Sequence, residues 1–308
     1  MTIALICPDK NPSPWLKAFA QVAPEINVEV WPNIHSPEKV TLALCWQQPE
    51  GSLLAFKNLK VICSMGAGVD HLLKDKLLPP ELPITRIVDE DLSQGMFEYL
   101  LYAVTERLSV RSAYQAQQRQ AIWQWQRQTP FAKCHIGFLG LGEIGAYCAQ
   151  KFASLGFKVS GWSQSEKHIQ GVHSYTRDQL NDFVAKPDIL VCLLPLTKKT
   201  IGILNAKMFN HVKPGCYLIN VARGHHLNEA DLLTALAQKK LSGACLDVFQ
   251  QEPLAPEHPF WHHPDISITP HCSSLTRPKS VVQQIRQHYY ASQQNYPLNH
   301  LVNVMKQY

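Results

Sequence analysis

The fold is decided by the stretch Cys134-His135-Ile136-Gly137-Phe138-Leu139-Gly140-Leu141-Gly142-Glu143-Ile144-Gly145. Its apolar run followed by a G-x-G-x-x-G pattern predicts a short buried strand, a glycine turn and the start of a helix. Gly140 permits the tight turn, Gly142 lets backbone N–H groups approach a pyrophosphate, and Gly145 lets the helix pack closely on the strand. The N-terminus of that helix adds unpaired N–H groups and a positive dipole end, which suit an anionic ligand.

The chain around this turn completes a βαβ unit. An apolar-periodic helix runs to about Leu155, Gly156 can end it, and a second strand is predicted at Phe157–Trp162. Four further strands are predicted in this part of the chain, at Ile189–Leu194, Tyr217–Val221, Ala244–Val248 and Ile266–Ile268. Asn228 is a predicted N-cap of a helix between them. Strands that alternate with helices predict a parallel sheet, and with the glycine turn they indicate a Rossmann-type dinucleotide-binding domain.

The first 93 residues predict a second, smaller α/β unit. Its strands are expected at Ile3–Ile6, Val28–Trp31, Leu42–Cys45, Val61–Cys63 and Ile84–Val88, with a helix at Trp15–Val22. Apolar residues at helical spacing predict one long helix from Ser93 to Gln120 that bridges the two units. A last helix, from Pro278 to about Ser292, is expected to return to the first unit. We therefore predict one domain of residues 1–93 and 274–308 and a dinucleotide-binding domain of residues 94–273, which includes the bridging helix.

The composition favours a cytoplasmic protein with a small anionic partner. No apolar run approaches the ~18 residues of a membrane helix, and the N-terminal stretch lacks the basic flank of a signal peptide. Nine cysteines form no C-x-x-C pair, and several lie inside apolar runs, where they read as buried reduced thiols: Cys45, Cys63, Cys192 and Cys245. The net charge of +5 comes without a dense Lys/Arg cluster, which argues against nucleic acid.

Two groups of residues follow predicted strands at the edge where open α/β sheets bind ligands. The segment Gly66-Ala67-Gly68-Val69-Asp70 offers bare backbone amides after a strand of the smaller unit, although a plain turn into a helix would also explain it. Arg223, Glu252 and His271 follow three successive strands of the larger domain. Singly they would be a surface cation, a loop acid and a structural histidine, but their joint placement favours a site. No metal site is predicted, because metal-ligand spacing is lacking at His225, His226, His262 and His263.

Together with the glycine turn, these segments resemble the D-2-hydroxyacid dehydrogenase family, and within it the glyoxylate/hydroxypyruvate reductase A branch. Further motifs that carry the resemblance are Trp162-Ser163-Gln164-Ser165, Thr269-Pro270-His271 and Thr276-Arg277-Pro278. The resemblance extends from about Cys45 to Pro278, with its motifs in the same order as in the family. It implies a Rossmann-type domain beside a smaller flavodoxin-like substrate domain, with the active site in a cleft.

The resemblance also implies catalytic roles. His271 would give a proton to the substrate carbonyl oxygen as hydride arrives at the carbon, and Glu252 would bind the other imidazole nitrogen and favour the charged ring. Arg223 would hold the carboxylate and carbonyl oxygens with its planar fork. The N–H groups of Gly66–Gly68 would cradle the substrate carboxylate and supply fixed positive ends. Trp46 is a candidate pocket wall, with a core tryptophan as the equal alternative.

A nicotinamide cofactor is implied, and the residues after the second strand favour NADPH over NAD. The implied cofactor contacts are Gly140, Leu141, Gly142, Glu143, Ile144, Gly145, Ser163, Gln164, Ser165, Lys167, Leu194, Pro195, Ala222 and Asp247. Ser163 stands where an NAD site normally has an acid, so no carboxylate repels a 2′-phosphate there. Two features weaken the preference: Gln164 stands where similar reductases have arginine, and Glu143 puts an acid at the turn.

We therefore predict NADPH-dependent reduction of a small 2-oxo acid, glyoxylate or hydroxypyruvate. One alternative is an NADH-linked dehydrogenase for a bulkier D-2-hydroxy acid, and another is a non-catalytic protein that senses the dinucleotide. A homodimer is expected. The glutamine-rich residues 114–128 carry Trp123 and Trp125, and they form either a solvated face or a surface that packs against a second subunit.

Overall fold

The computed structural model describes residues 2–308, apart from the side chain of Ser112. The chain divides into two compact units, Met1–Leu92 with Thr276–Tyr308, and Ser93–Leu275. Each unit is built on a parallel β-sheet, so the predicted α/β fold class is confirmed. Within the described residues, no helix has the length and apolar character needed to span a bilayer.

The first unit contains a five-stranded parallel sheet. Its elements in chain order are β1 (Thr2–Ile6), α1 (Ser13–Val22), β2 (Asn27–Val30), β3 (Val40–Cys45), β4 (Val61–Ser64), α2 (Asp70–Leu73) and β5 (Ile84–Thr85). The strand order β2-β1-β3-β4-β5 is the flavodoxin-like order. The last strand is shorter than the predicted Ile84–Val88, because the Ile87 N–H leaves the ladder and donates to the Gly66 carbonyl at 3.0 Å.

The second unit contains a seven-stranded parallel sheet. Its elements are α3 (Glu90–Leu108, which crosses the boundary between the units in the chain), α4 (Arg111–Arg119), β6 (His135–Leu139), α5 (Glu143–Ser154), β7 (Lys158–Trp162), β8 (Val172–Tyr175), α6 (Leu180–Val184), β9 (Ile189–Cys192), α7 (Ala206–Phe209), β10 (Cys216–Asn220), α8 (Glu229–Ala237), β11 (Leu241–Leu246) and β12 (Ile266–Ile268). The order β12-β11-β10-β9-β6-β7-β8 places β6 where the strand order reverses, which is the ligand-binding point of a doubly wound sheet. The final helix α9 (Pro278–Gln294) belongs to the first unit.

One prediction about secondary structure was wrong, and one strand was not predicted. The single helix from Ser93 to Gln120 is two helices, because the Ser109 hydroxyl accepts the Arg111 N–H at 3.0 Å and offers the backbone a local alternative to helix continuation. Strand β8 was not predicted, because it is an edge strand in which only Tyr175 is buried. Edge strands often carry polar side chains and so lack a strong apolar pattern.

Other predictions are confirmed by the structure. The Asn228 side chain caps α8 by accepting the Asp231 N–H at 3.2 Å. The four cysteines expected inside the fold are buried free thiols, whereas Cys272 is exposed. Large aromatic side chains fill the interior of the second unit, and the fully buried ones are Phe138, Phe152, Phe183, Phe209 and Phe260. This packing gives the strand ends that carry the candidate site a rigid support.

Candidate active site

The three glycines of the turn have different environments. Gly140 has φ +104°, and a Cβ there would lie 2.8 Å from the Leu193 carbonyl oxygen, so only glycine suits the turn. A Cβ on Gly145 would lie 2.0 Å from the Gly140 carbonyl oxygen, which shows how closely α5 packs on the turn. Gly142, by contrast, is exposed, and a Cβ on it would meet nothing within 4 Å. The open side of Gly142 therefore has the room that an approaching pyrophosphate needs.

The start of α5 fits an anionic group. Gly142 is the N-cap residue, and no side chain caps the first turn, so the leading N–H groups are directed at the open side of the turn. Glu143 is the first residue of α5 and is exposed, while Leu141 is buried and Ile144 is partly buried. A carboxylate at this position interacts favourably with the positive N-terminal end of the helix dipole in the free protein. The turn thus fits a dinucleotide pyrophosphate, with Glu143 in solvent.

The segment after β7 is open to solvent. Gln164, Ser165 and Lys167 are exposed, and Ser163 is partly buried. The Ser163 hydroxyl donates to the Ser165 carbonyl at 2.6 Å, which folds the segment back on itself. No carboxylate stands at the residue that follows β7, so the observed segment is compatible with a 2′-phosphate.

The remaining predicted cofactor contacts lie at other strand ends of the same sheet. Leu194 and Ala222 are buried, and Pro195 is exposed. The Pro195 carbonyl accepts the Thr200 hydroxyl at 2.7 Å, which shapes the loop after β9. Asp247 is fully buried beyond β11. The cofactor contacts expected at Leu194, Pro195, Ala222 and Asp247 stay predictions.

His271 and Glu252 form a hydrogen-bonded pair. The His271 Nδ1 lies 2.7 Å from Glu252 Oε2, and the other carboxylate oxygen accepts the Phe249 N–H at 3.0 Å. Partial burial raises the pKa of Glu252, but the hydrogen bonds from His271 and Phe249 and the charge of Arg223 outweigh it and hold that pKa below its usual value. Because Nδ1 donates to a carboxylate, Nε2 is the ring nitrogen that is left to exchange a proton with a ligand.

The backbone of His271 is held in an uncommon conformation. Its φ is +49°, in the left-handed region, and its N–H donates to the Asp247 carbonyl at 2.8 Å. The Asp247 carboxylate accepts the Thr269 hydroxyl at 2.6 Å and the N–H groups of Cys272 and Ser273 at 2.9 Å each. Tyr99 adds a bond to Thr269 at 2.6 Å. The surrounding contacts therefore fix the turn that presents the imidazole.

Arg223 is positioned by the end of β10. The buried Asn220 donates from Nδ2 to the Arg223 carbonyl at 3.0 Å and accepts the Ala222 N–H at 3.2 Å. A Cβ on Gly224 would lie 1.9 Å from the Phe249 carbonyl carbon, so the loops after β10 and β11 touch through their backbones. Since β10, β11 and β12 are neighbours, the structure brings Arg223, Glu252 and His271 to the same edge of one sheet.

The Gly66–Gly68 loop follows β4 in the first unit, as expected, but its amides are not equivalent. We expected all three N–H groups to face a ligand. The structure corrects this for Gly66, whose N–H donates to Ser64 Oγ at 3.2 Å. In the described part of the chain, the N–H groups of Ala67 and Gly68 have no protein acceptor. These two amides are therefore the ones available to bind a carboxylate.

Trp46 lies beside this loop. A Cβ on Gly66 would lie 3.1 Å from Trp46 Cζ3, and the ammonium of Lys10 stands 3.8 Å over the Trp46 ring. Trp46 is partly buried, and its expected role as a pocket wall stays a prediction. A wall that contacts Gly66 would limit the space next to the two available amides.

Sequence reasoning missed the polar residues that end the strands of the site. Ser64 ends β4 and Asn220 ends β10, both fully buried, and each holds the loop that follows it. A polar residue that closes an apolar run was the available signal. The described residues contain no group of His, Cys, Asp and Glu that could hold a metal ion.

A doubly wound parallel sheet, an open glycine turn at its reversal point and an imidazole–carboxylate pair at neighbouring strand ends are the parts of a nicotinamide-dependent oxidoreductase. Residues 101–273 match the family model described as "D-isomer specific 2-hydroxyacid dehydrogenase, NAD binding domain". The chain belongs to the D-isomer-specific 2-hydroxyacid dehydrogenase family.

The similarity to proteins of this family extends over nearly the whole chain. A glyoxylate/hydroxypyruvate reductase A of Serratia proteamaculans is 40% identical over 292 residues, which are 92% of this chain and 93% of the relative. Two crystal structures are similar. The NADPH-dependent glyoxylate/hydroxypyruvate reductase of Sinorhizobium meliloti, in complex with NADP and sulfate, has a TM-score of 0.92 at 32% identity over 100% of both chains. A 2-hydroxyacid dehydrogenase of Xanthobacter autotrophicus with NADPH and MES has a TM-score of 0.94 at 32% identity, covering 100% of this chain and 99% of that one.

Proposed function

We propose that this protein reduces a small 2-oxo acid, glyoxylate or hydroxypyruvate, to the 2-hydroxy acid with NADPH. The observation that carries the proposal is the Glu252–His271 pair, 2.7 Å apart, on the sheet edge that also carries Arg223. Relatives that are named glyoxylate/hydroxypyruvate reductase A support the choice of substrate. We further propose that the first unit is the substrate domain and that the second binds the dinucleotide.

The chain's own residues would divide the chemistry as follows. Bound NADPH supplies the hydride. His271 Nε2 gives a proton to the carbonyl oxygen, and Glu252 fixes the orientation of the ring through Nδ1. The guanidinium of Arg223 orients the substrate and stabilises the negative charge that develops on the carbonyl oxygen. The N–H groups of Ala67 and Gly68 bind the substrate carboxylate.

The preference for NADPH rests on the segment after β7. Ser163, rather than an acid, follows the strand, and the exposed Lys167 provides a cation in the same segment. Structural relatives with NADPH or NADP bound support this choice. Because Gln164 gives the 2′-phosphate no fixed charge, we expect activity with NADH as well, at a lower kcat/KM.

The experiment that tests the function is a panel of 2-oxo acids assayed with NADPH and NADH by loss of nicotinamide absorbance. We expect the highest kcat/KM for glyoxylate or hydroxypyruvate with NADPH. Ser163→Asp should lower kcat/KM with NADPH by about tenfold or more, since it places a carboxylate against the phosphate. Lys239→Ala, a change at an exposed residue between α8 and β11, is the control. A wild-type preference for NADH, or for a bulky 2-oxo acid, would contradict the proposal.

We also propose that the protein is a homodimer and that the segment 114–128 lies in the interface. Trp123 and Trp125 are 103% and 76% exposed, and Ile122 beside them is 45% exposed, which is more apolar surface than a short solvent-facing loop needs. Sedimentation equilibrium should give twice the chain mass, and Trp123→Ser with Trp125→Ser should weaken association. A wild-type monomer at micromolar concentration would contradict this.

The buried free thiols support a cytoplasmic location, which cell fractionation would test.

A further inference from the structure

The substrate-side loop of the first unit is held by two polar residues that no part of the proposed mechanism uses. Ser64, the last residue of β4, is fully buried, and its Oγ donates to the Gly68 carbonyl at 2.8 Å while it accepts the Gly66 N–H at 3.2 Å. One hydroxyl therefore ties the two ends of the Gly66–Gly68 loop together. A strand end that needed only to turn into a helix would not require a buried hydroxyl with both of these partners.

His71 controls the direction of that hydroxyl. The ring is 7% exposed, and its Nε2 lies 3.1 Å from Ser64 Oγ. Its Nδ1 accepts the backbone N–H of Gln47 at 3.2 Å, so in the neutral ring the proton is on Nε2. The Ser64 oxygen then receives hydrogen bonds from both His71 and Gly66, and its own proton is left to go to Gly68. The tautomer of His71 thus follows from a backbone N–H.

The anchored groups determine which amides face outward. The Gly66 carbonyl accepts the Ile87 N–H at 3.0 Å. Because a trans peptide is planar, the N–H of Ala67 points the opposite way from the Gly66 carbonyl. With Gly66 held at both its N–H and its C=O, and Gly68 held at its C=O, the loop keeps the Ala67 and Gly68 N–H groups without a protein acceptor.

Packing adds a second support. The centroids of the His71 and Trp46 rings are 4.7 Å apart, and Trp46 also lies against Gly66. The His71 ring therefore contacts the loop through Ser64 on one side and through Trp46 on the other. Moving it would change both the amide directions and the wall beside them.

From these contacts we propose that Ser64 and His71 are positioning residues that pre-organise the Ala67 and Gly68 amides for the carboxylate of the 2-oxo acid. The inference rests on the proposed function, because it assigns the loop to that substrate. Pre-organised donors bind an anion without a reorganisation cost, so loosening the loop weakens carboxylate binding more than it slows proton transfer at His271.

Ser64→Ala and His71→Leu test the inference through a KM-against-kcat split. Each should raise the KM for glyoxylate about tenfold, with kcat within about threefold of the wild type and the KM for NADPH unchanged. His71→Gln, which can still donate an N–H, should restore part of the affinity. Thr85→Val is the matched control. It removes another fully buried hydroxyl, one that donates to Cys63 Sγ at 2.9 Å on the neighbouring strand, without touching the loop.

Calorimetry with oxamate, a non-reducible analogue of a 2-oxo acid, separates failure of this inference from failure of the proposed function. Loss of oxamate affinity in Ser64→Ala and His71→Leu, but not in Thr85→Val, supports the positioning role whether or not the wild type turns over glyoxylate. Unchanged KM and oxamate affinity in both variants, or a fall in Tm alone, would overturn it. A wild type that binds no oxamate would overturn it as well.

Discussion

Replacement of His271 by alanine is expected to lower kcat for 2-oxo acid reduction about 10²–10⁴-fold and to leave NADPH affinity unchanged. In the proposed mechanism the imidazole is the proton donor, and among the described residues its side-chain hydrogen bond goes to Glu252, so alanine would remove the proton donor. Stopped-flow single-turnover rates with NADPH would measure the chemical step, and fluorescence titration would measure cofactor binding.

Two further variants sharpen this test. His262→Ala removes an exposed histidine of the same unit and should behave as the wild type. Glu252→Gln should give a smaller loss than His271→Ala, because the amide can still accept the Nδ1–H but carries no charge to stabilise the imidazolium. Turnover that survives in His271→Ala would remove the mechanism proposed here. Cofactor binding without turnover in the wild type would favour a dinucleotide-sensing regulator instead.

Replacement of Gly145 by alanine is expected to destabilise the dinucleotide-binding turn by about 3 kcal/mol or more. The new methyl would lie 2.0 Å from the Gly140 carbonyl oxygen, which is backbone and cannot move aside without shifting α5 or the turn. The expected observation is a fall in apparent Tm of many degrees, with loss of NADPH binding. Thermal melts followed by circular dichroism, with and without NADPH, would measure both.

Gly142→Ala is the matched control for this experiment. Its methyl would meet no protein atom within 4 Å, and its φ of −72° suits alanine, so the Tm without cofactor should not change. NADPH affinity should nevertheless fall about tenfold if, as we propose, the pyrophosphate binds on the side that the methyl would occupy. If Gly142→Ala bound NADPH normally, the turn would not be the pyrophosphate site. A Gly145→Ala protein as stable as the wild type would show that α5 can move.

Much of the fold could be predicted because its signals are local. The glycine turn and the apolar run before it predict the strand β6 and the helix α5, β7 was predicted to within one residue, and β12 was predicted with its observed bounds. The break between α3 and α4 was not predicted, since it depends on one hydroxyl, that of Ser109, which competes with the helix. Edge strand β8 was missed because a strand that buries a single side chain lacks a strong pattern.

The candidate site also has a part that the sequence could predict and a part that it could not. Arg223, Glu252 and His271 could be proposed from the sequence because each follows a strand that the pattern reveals, and the family resemblance gave them roles. The distinction between the Gly66 amide and its two neighbours was missed, because it depends on the Ser64 hydroxyl accepting the N–H two residues further along the chain. The hydrogen bond from His71 Nε2 to Ser64 Oγ, by contrast, depends on how the helix packs against the strand end, which residue spacing does not show.

The backbone contact of Gly224 with Phe249 has a consequence for protein engineering. Two loops that touch without an intervening side chain cannot be exchanged independently, since a longer or bulkier graft in either would displace the other. Efforts to widen the range of accepted substrates should therefore transplant the segments 221–228 and 247–254 together from one donor protein. The donor's own backbone then sets the distance between the residues that replace Arg223 and Glu252.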